Sequence, residues 1–194
     1  CFYYYDNLRE LERCGAELVH FSPMRDSLPD VDGLYLGGGY PELYAPALEK
    51  GSARIQIKKA SEDGMPIYGE CGGLMYLGEE LVMDDKRCRM SGALPGSTIM
   101  TGKLVALGYA RADAVEHNPL AGVGRSILGH EFHYSQFDCK RDARFAYRVS
   151  RGRGIQDGRD GLMEHNTLGA YLHAHFFSLT SEHLIEQCQR YKRT

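Results

Sequence analysis

The segment PIYGECGGLMYLG, residues 66–78, restricts the fold more than any other stretch of the chain. An apolar strand-like run, PIYGE, enters G-E-C-G-G and leaves as the apolar helical run GGLMYLGEELV (72–82). A cysteine between two such elements has the form of a nucleophile elbow, which presents a reactive side chain on a strained strand-to-helix turn. Small neighbours are a steric requirement of that turn, and Gly69, Gly72 and Gly73 meet it. The helix starting at Gly72 is expected to aim its free N–H groups and positive dipole end at the sulfur. Both favour thiolate and leave the Gly72 N–H to hold an oxyanion. A buried cysteine at an ordinary strand end is the plainer account of Cys71, and the flanking glycines weigh against it.

The rest of the first half repeats the strand and helix alternation. CFYYY (1–5) reads as a strand, Asp6 can cap the helix NLRELERC, Gly15 suits its end, and AELVHFSP resumes a strand. GLYLG (33–37) is a further strand, a helix lies between Pro41 and Asp63, and PIYGE follows. Strands separated by helices predict a parallel sheet with right-handed crossovers. Beyond residue 84 come Gly-broken apolar segments, KLVALGYARADAV, RSILGHEFHYSQF, ARFAYRVS and LGAYLHAHFF, then a closing helix from Ser181. The expected class is therefore α/β: a mostly parallel central sheet flanked by helices, with extra strands in the second half. With no linker, repeat or charge block, residues 1–194 read as one domain, a size at which a single core needs no disulfide or metal.

Charge and composition exclude several partners. Lys and Arg number 23 against 26 Asp and Glu, a net charge of −3, so no basic excess exists to neutralise nucleic acid. No apolar run approaches the roughly 20 residues of a spanning helix, and the N-terminus lacks signal-peptide order. Neither nucleic acid nor membrane is expected as a partner, and the default compartment is the cytoplasm. Six cysteines occur without a C-x-x-C pair, which removes zinc-ribbon and thioredoxin readings. The chain opens on Cys1 inside an aromatic run, as a domain cut from a longer protein or a processed chain would.

Other motifs can be placed around Cys71. LGGGYPE (36–42) follows a strand but does not fit G-x-G-x-x-G, so a dinucleotide fingerprint is unsupported. Alone it is a Gly-rich turn; in a parallel sheet it opens at the edge that holds Cys71, where its amides are candidate oxyanion donors. A thiol nucleophile needs a base, most often His. AYLHAHFF carries His173 and His175 on one face of an apolar β-type run, a costly arrangement without partners. GHEFHYS supplies His130, Glu131 and His133 but is not H-E-x-x-H, so no zinc protease and no metal are assigned, though spacing alone leaves open a metal assembled from both His clusters. GSTIMTGKL fails as a P-loop, having five residues between Gly96 and Gly102 and Leu104 at the magnesium-binding position.

LYLGGGYPEL, PIYGECGGLMYLG, GHEFHYS and AYLHAHF, in that order and over nearly the whole chain, resemble the glutamine amidotransferase domain of the cobyrinic acid a,c-diamide synthase family. A close relative in that family amidates nickel-sirohydrochlorin. The resemblance implies a class I-like amidotransferase fold. It makes Cys71 the nucleophile toward the glutamine side-chain amide, with Gly38, Gly39 and Gly72 around the oxyanion and His173 as base. The usual triad Glu, two residues after the His, is here His175. That departure implies a Cys-His dyad, with His175 and Glu131 as supporting candidates. The implied domain holds no cofactor of its own. It passes ammonia to an N-terminal synthetase domain that uses ATP and Mg²⁺ on corrinoid or tetrapyrrole carboxylates, in cobalamin or coenzyme F430 synthesis. Two rivals remain: an N-terminal-nucleophile amidohydrolase using Cys1, and a catalytically silent docking module. The acceptor and the oligomeric state, a homodimer included, stay open.

Overall fold

The computed structural model describes residues 2–176 and 180–192. In chain order the elements are α1 (Tyr5–Arg13), β1 (Leu34–Leu36), a 3-10 turn (Pro41–Leu43), α2 (Ala45–Lys50), α3 (Ala53–Glu62), β2 (Ile67–Glu70), α4 (Gly72–Leu77), β3 (Glu80–Met83), β4 (Lys86–Arg89) and β5 (Gly96–Met100). There follow β6 (Ala106–Ala114), β7 (Ser126–His133), β8 (Ser135–Cys139), β9 (Arg144–Arg151), β10 (Arg159–Glu164), β11 (Thr167–Ala170), β12 (His173–Ala174) and α5 (Thr180–Lys192). An eight-stranded sheet runs β1-β2-β11-β10-β9-β6-β7-β12, and a four-stranded sheet runs β4-β3-β5-β8.

Helices flank the large sheet as expected of an α/β chain, and the two core clusters lie on its two faces. Side chains alternate along β2, so Ile67 joins Leu36, Ile57, Leu74 and Leu77 on one side while Tyr68 joins Leu11, Leu168, Phe176 and Leu184 on the other. The parallel core is real but small: β2 pairs parallel with both β1 and β11. Every other pairing in that sheet is antiparallel, so the whole is mixed rather than mostly parallel. Connection length is the reason, because parallel neighbours need a long crossover whereas short turns return the chain antiparallel. Between β10 and β11 only His165 and Asn166 intervene, with His165 at φ 50°.

Three local expectations change. CFYYY forms no full strand: Phe2 makes a single bridge to Gly38 and the helix already begins at Tyr5, while Cys1 lies outside the described residues. AELVHFSP runs without regular structure and packs a partly buried Leu18 against the α1 and α5 side of the core. The elbow helix stops at Leu77, because Gly78 takes an extended conformation and sends the next residues into β3.

The sheet also curls. Tyr171 and Leu172 carry the chain directly from β11, beside β2, to β12, paired with β7 at the far end of the strand order. That short crossing brings the far edge of the sheet back to the end of β2, where the elbow lies.

Candidate active site

Cys71 sits at φ 46° and ψ −96°, between the last residue of β2 and the first of α4. A non-glycine residue at positive φ is strained, and the surrounding main chain holds it there. Its N–H donates to the Ala170 carbonyl at 2.7 Å, and its carbonyl accepts from Met75 N–H at 2.9 Å. The following glycines are sterically demanded: a Cβ on Gly73 would lie 2.2 Å from the Leu36 carbonyl oxygen, and one on Gly72 2.9 Å from the Gly39 nitrogen. The elbow therefore packs directly on the glycine loop that follows β1.

The sulfur is buried, and its S–H donates to the Phe132 carbonyl at 3.6 Å. Burial pushes the thiol up to about 12, against the opposing effect of the Gly72 N–H and reinforced by the negative charge of Glu70. The expectation of a resting thiolate is thus overturned. One turn-and-a-half of helix and one N–H donor do not outweigh desolvation plus a neighbouring carboxylate.

His173 reaches this edge through the crossing from β11. Fully buried Asp160 accepts from Tyr171 N–H at 3.1 Å and Leu172 N–H at 2.9 Å, fixing the two residues before it. The imidazole is buried, with Nδ1 3.5 Å from Glu70 Oε2. Neither of these two atoms has a hydrogen-bond partner. Glu70 is itself held through Oε1 by the Tyr68 hydroxyl at 3.0 Å and Ala174 N–H at 3.1 Å. Because alternate residues of β2 share a face, Tyr68 and Glu70 stand together, and the turn at Cys71 sends the next side chain elsewhere.

The glycine loop completes the arrangement. Gly38 accepts Phe2 N–H at 2.8 Å, and a Cβ at Gly38 would lie 2.6 Å from Cε1 of His173. Gly39, at φ +150°, brings its own backbone against Gly72. Cys71, Gly72, Gly38, Gly39 and His173 therefore meet at one sheet edge.

The two supporting candidates make other contacts. Glu131 is buried, but its carboxylate accepts the N–H groups of Arg153 and Gly154, each at 2.8 Å, and ties down that loop instead of His173. Strand alternation explains it, since His130 stands directly opposite His173 across β7 and β12 and Glu131 turns to the other face. His175 follows the end of β12, bonds Leu128 through its backbone at 2.9 Å, and sets its ring 5.7 Å from that of Tyr4. The carboxylate beside His173 is Glu70, which immediately precedes Cys71 and which the Cys-His dyad expected from sequence did not include. Its signal was a charged residue inside an apolar strand that the fold buries on both faces. The two histidine clusters do converge, but His130 and His173 stack face to face, centroids 4.6 Å apart and planes 17° apart, which does not aim their lone pairs at a common centre. Among the described residues no group of three or more His, Cys, Asp and Glu could hold a metal ion.

Residues 1–180 match the family model described as the CobB/CobQ-like glutamine amidotransferase domain. A cobyrinate a,c-diamide synthase of Methanosarcina barkeri is 49% identical over 190 residues, which are 90% of this chain and 38% of that protein. One from Archaeoglobus fulgidus is 47% identical over 179 residues, 91% of this chain and 39% of the relative. The chain thus spans under two fifths of the length of these relatives. Among solved structures, a glutamine amidotransferase superposes with TM-score 0.63 at 15% identity, over 97% of this chain and 93% of the other. A chain of PurLQS from Thermotoga maritima gives 0.60 at 18%, over 86% and 82%. At such identities the likeness is one of fold.

Proposed function

Since this chain belongs to the CobB/CobQ-like glutamine amidotransferase domain family, we propose that it hydrolyses glutamine through a Cys71 thioester and supplies the ammonia to an amidation. The observation that carries the reading is the elbow cysteine at φ 46° together with a buried imidazole whose Nδ1 faces the Glu70 carboxylate at 3.5 Å. In a neutral His173, a proton on Nδ1 directed at Glu70 leaves the Nε2 lone pair as the base. With the thiol raised to about 12, the sulfur loses its proton to that base as it attacks, rather than resting as thiolate.

The sulfur adds to the amide carbon of the glutamine side chain while its proton passes to His173 Nε2. N–H groups of Gly72 and the Gly38–Gly39 loop receive the oxyanion. Collapse breaks the carbon–nitrogen bond as His173 returns the proton to nitrogen, giving ammonia and a γ-glutamyl thioester. Water, deprotonated by His173, then attacks the thioester, and the leaving sulfur takes the proton back as glutamate departs. Glu70 holds the imidazole in one tautomer and stabilises its charged form.

The relatives' greater length is consistent with a synthetase portion that uses ATP and Mg²⁺ to activate corrinoid or tetrapyrrole carboxylates, with residues 1–194 as the ammonia-supplying domain. No helix among the described residues is long and apolar enough to cross a membrane, in keeping with a cytoplasmic assignment. Labelling with an electrophilic glutamine analogue and peptide mapping tests the reading. Modification at Cys71, lost in Cys71→Ala together with glutamine hydrolysis, is expected. Modification at Cys1 would favour the N-terminal-nucleophile alternative, and none at any cysteine, with no hydrolysis, would favour a silent docking module.

A further inference from the structure

An imidazole held at one edge by a single 3.5 Å contact can still rotate about its ring bond, so something else must set the plane of His173. His130 covers one face of that ring. It stands directly opposite His173 in the β7 and β12 pair, with centroids 4.6 Å apart and planes 17° apart. The Nδ1 of His130 is hydrogen-bonded to the Tyr4 hydroxyl, and the Tyr4 ring meets His130 edge-on at 5.7 Å. Phe2 presents its edge to both imidazoles, at 6.4 Å from His130 and 5.8 Å from His173. The same short segment is pinned to the glycine loop, since Phe2 N–H donates to Gly38 and Tyr3 packs where a Cβ of Gly37 would be.

We infer that His130, fixed by Tyr4, is a positioning residue for His173: its stacked ring and the Phe2–Tyr4 strap hold the imidazole plane so that Nδ1 meets Glu70 while Nε2 serves Cys71. Partial burial, with the nearby His173, pushes the His130 imidazole down, so near neutral pH it is uncharged and stacks without repelling its neighbour. The strap thereby joins the base to the loop that receives the oxyanion. This inference rests on the glutaminase reading for its kinetic test and on geometry alone for its spectroscopic one.

The test compares His130→Ala, His130→Phe, Tyr4→Phe and the double variant Tyr4→Phe/His130→Phe. A ring tilt that misplaces Nε2 by about 1 Å lowers kcat on the order of 100-fold. Removal of the ring in His130→Ala is therefore expected to lower kcat by about 30- to 100-fold with KM within about threefold, the pattern of an interaction made in the transition state. His130→Phe restores a flat stacked ring and is expected to recover kcat to within about fivefold of wild type. The hydroxyl that Tyr4→Phe removes acts through His130 Nδ1, so Tyr4→Phe lowers kcat in the wild-type background and adds nothing to His130→Phe, a non-additivity that a general loss of packing does not produce. Independently of activity, the His173 Nδ1 proton should give a slowly exchanging, downfield NMR signal that is present in wild type and His130→Phe and broadened away in His130→Ala. A wild-type kcat in His130→Ala with an intact signal overturns the inference, as does a Tyr4→Phe loss of equal size in both backgrounds. If His130→Ala fails to fold, the His130→Phe cycle decides alone. Failure of glutamine hydrolysis in the unmodified chain counts against the glutaminase reading and leaves the NMR test standing.

Discussion

Gly38 shows how little room the site leaves at the level of single residues. A methyl group there would begin 2.6 Å from Cε1 of His173, inside any real contact, and the imidazole must move off Glu70 to accept it. Gly38→Ala is expected to lower kcat about 100-fold, by displacing the base on the order of 1 Å, with the thermal midpoint nearly unchanged. A kcat within a few fold of wild type would show the loop to be slack. Glu70→Gln keeps shape but removes the charge that steadies imidazolium, and should cost about 100-fold or more in kcat. The thiol itself offers a separate check. With its acidity shifted to about 12, the rate of Cys71 alkylation by iodoacetamide, read by peptide mapping, should climb about tenfold per pH unit from pH 7 to pH 10 without levelling near the ordinary cysteine value of about 8.5. A plateau near pH 8 would restore a resting thiolate.

Among the elements, the two-residue crossing between β11 and β12 does most to assemble the site, and Asp160 is what holds it. Burial lifts that carboxyl from 3.8 to about 7, ahead of the opposing effect of the Leu172, Gly161 and Tyr171 N–H groups. The folded chain therefore binds this proton more tightly than the unfolded chain. Asp160's contribution to stability is full below about pH 4 and is lost as pH rises through about 7. Asp160→Asn should flatten that part of the pH dependence of the unfolding free energy. It should also lower stability at every pH, because an amide NH₂ then faces backbone donors. Urea midpoints measured across the interval check both effects. Identical pH slopes for wild type and variant would mean that the carboxyl stays ionised in the fold.

At the scale of the whole molecule, the curled sheet makes the candidate site a junction of segments remote in sequence: the elbow at 70–72, the glycine loop at 37–39, β7 with His130, and the crossing that ends at His173. Each contributes one part, and none is complete without the sheet closing. The chain spans 38% and 39% of the length of the Methanosarcina barkeri and Archaeoglobus fulgidus relatives. If, as proposed, this chain supplies ammonia to a synthetase portion, then in a protein that carries both, Cys71→Ala should abolish glutamine-dependent amidation while ammonia-dependent amidation persists, since the variant would remove the source of ammonia and not its consumer. Loss of both activities, with the fold retained, would argue that Cys71 serves the synthetase step directly.

What the sequence determined by itself was local. G-E-C-G-G between an apolar strand and an apolar helix already required an elbow, because only glycine admits the main-chain approaches seen at Gly72 and Gly73. Strands β1 and β2 and the helical stretch between them were likewise legible, as each depends on neighbours within a few residues, while the resemblance named Cys71, His173, Gly38, Gly39 and Gly72 as candidates. The remainder required the tertiary structure. Strand pairing in the second half depends on which segments become neighbours, so the antiparallel majority of the sheet could not be read from apolar runs. The role open to Glu70 appears only when a crossing more than a hundred residues later brings His173 Nδ1 to its carboxylate, and Glu131, a glutamate as well, is turned away by one step of strand alternation. The state of the Cys71 proton was decided the same way: helix polarity is written in the sequence, but desolvation is a property of everything packed around the sulfur, and here it is the larger effect.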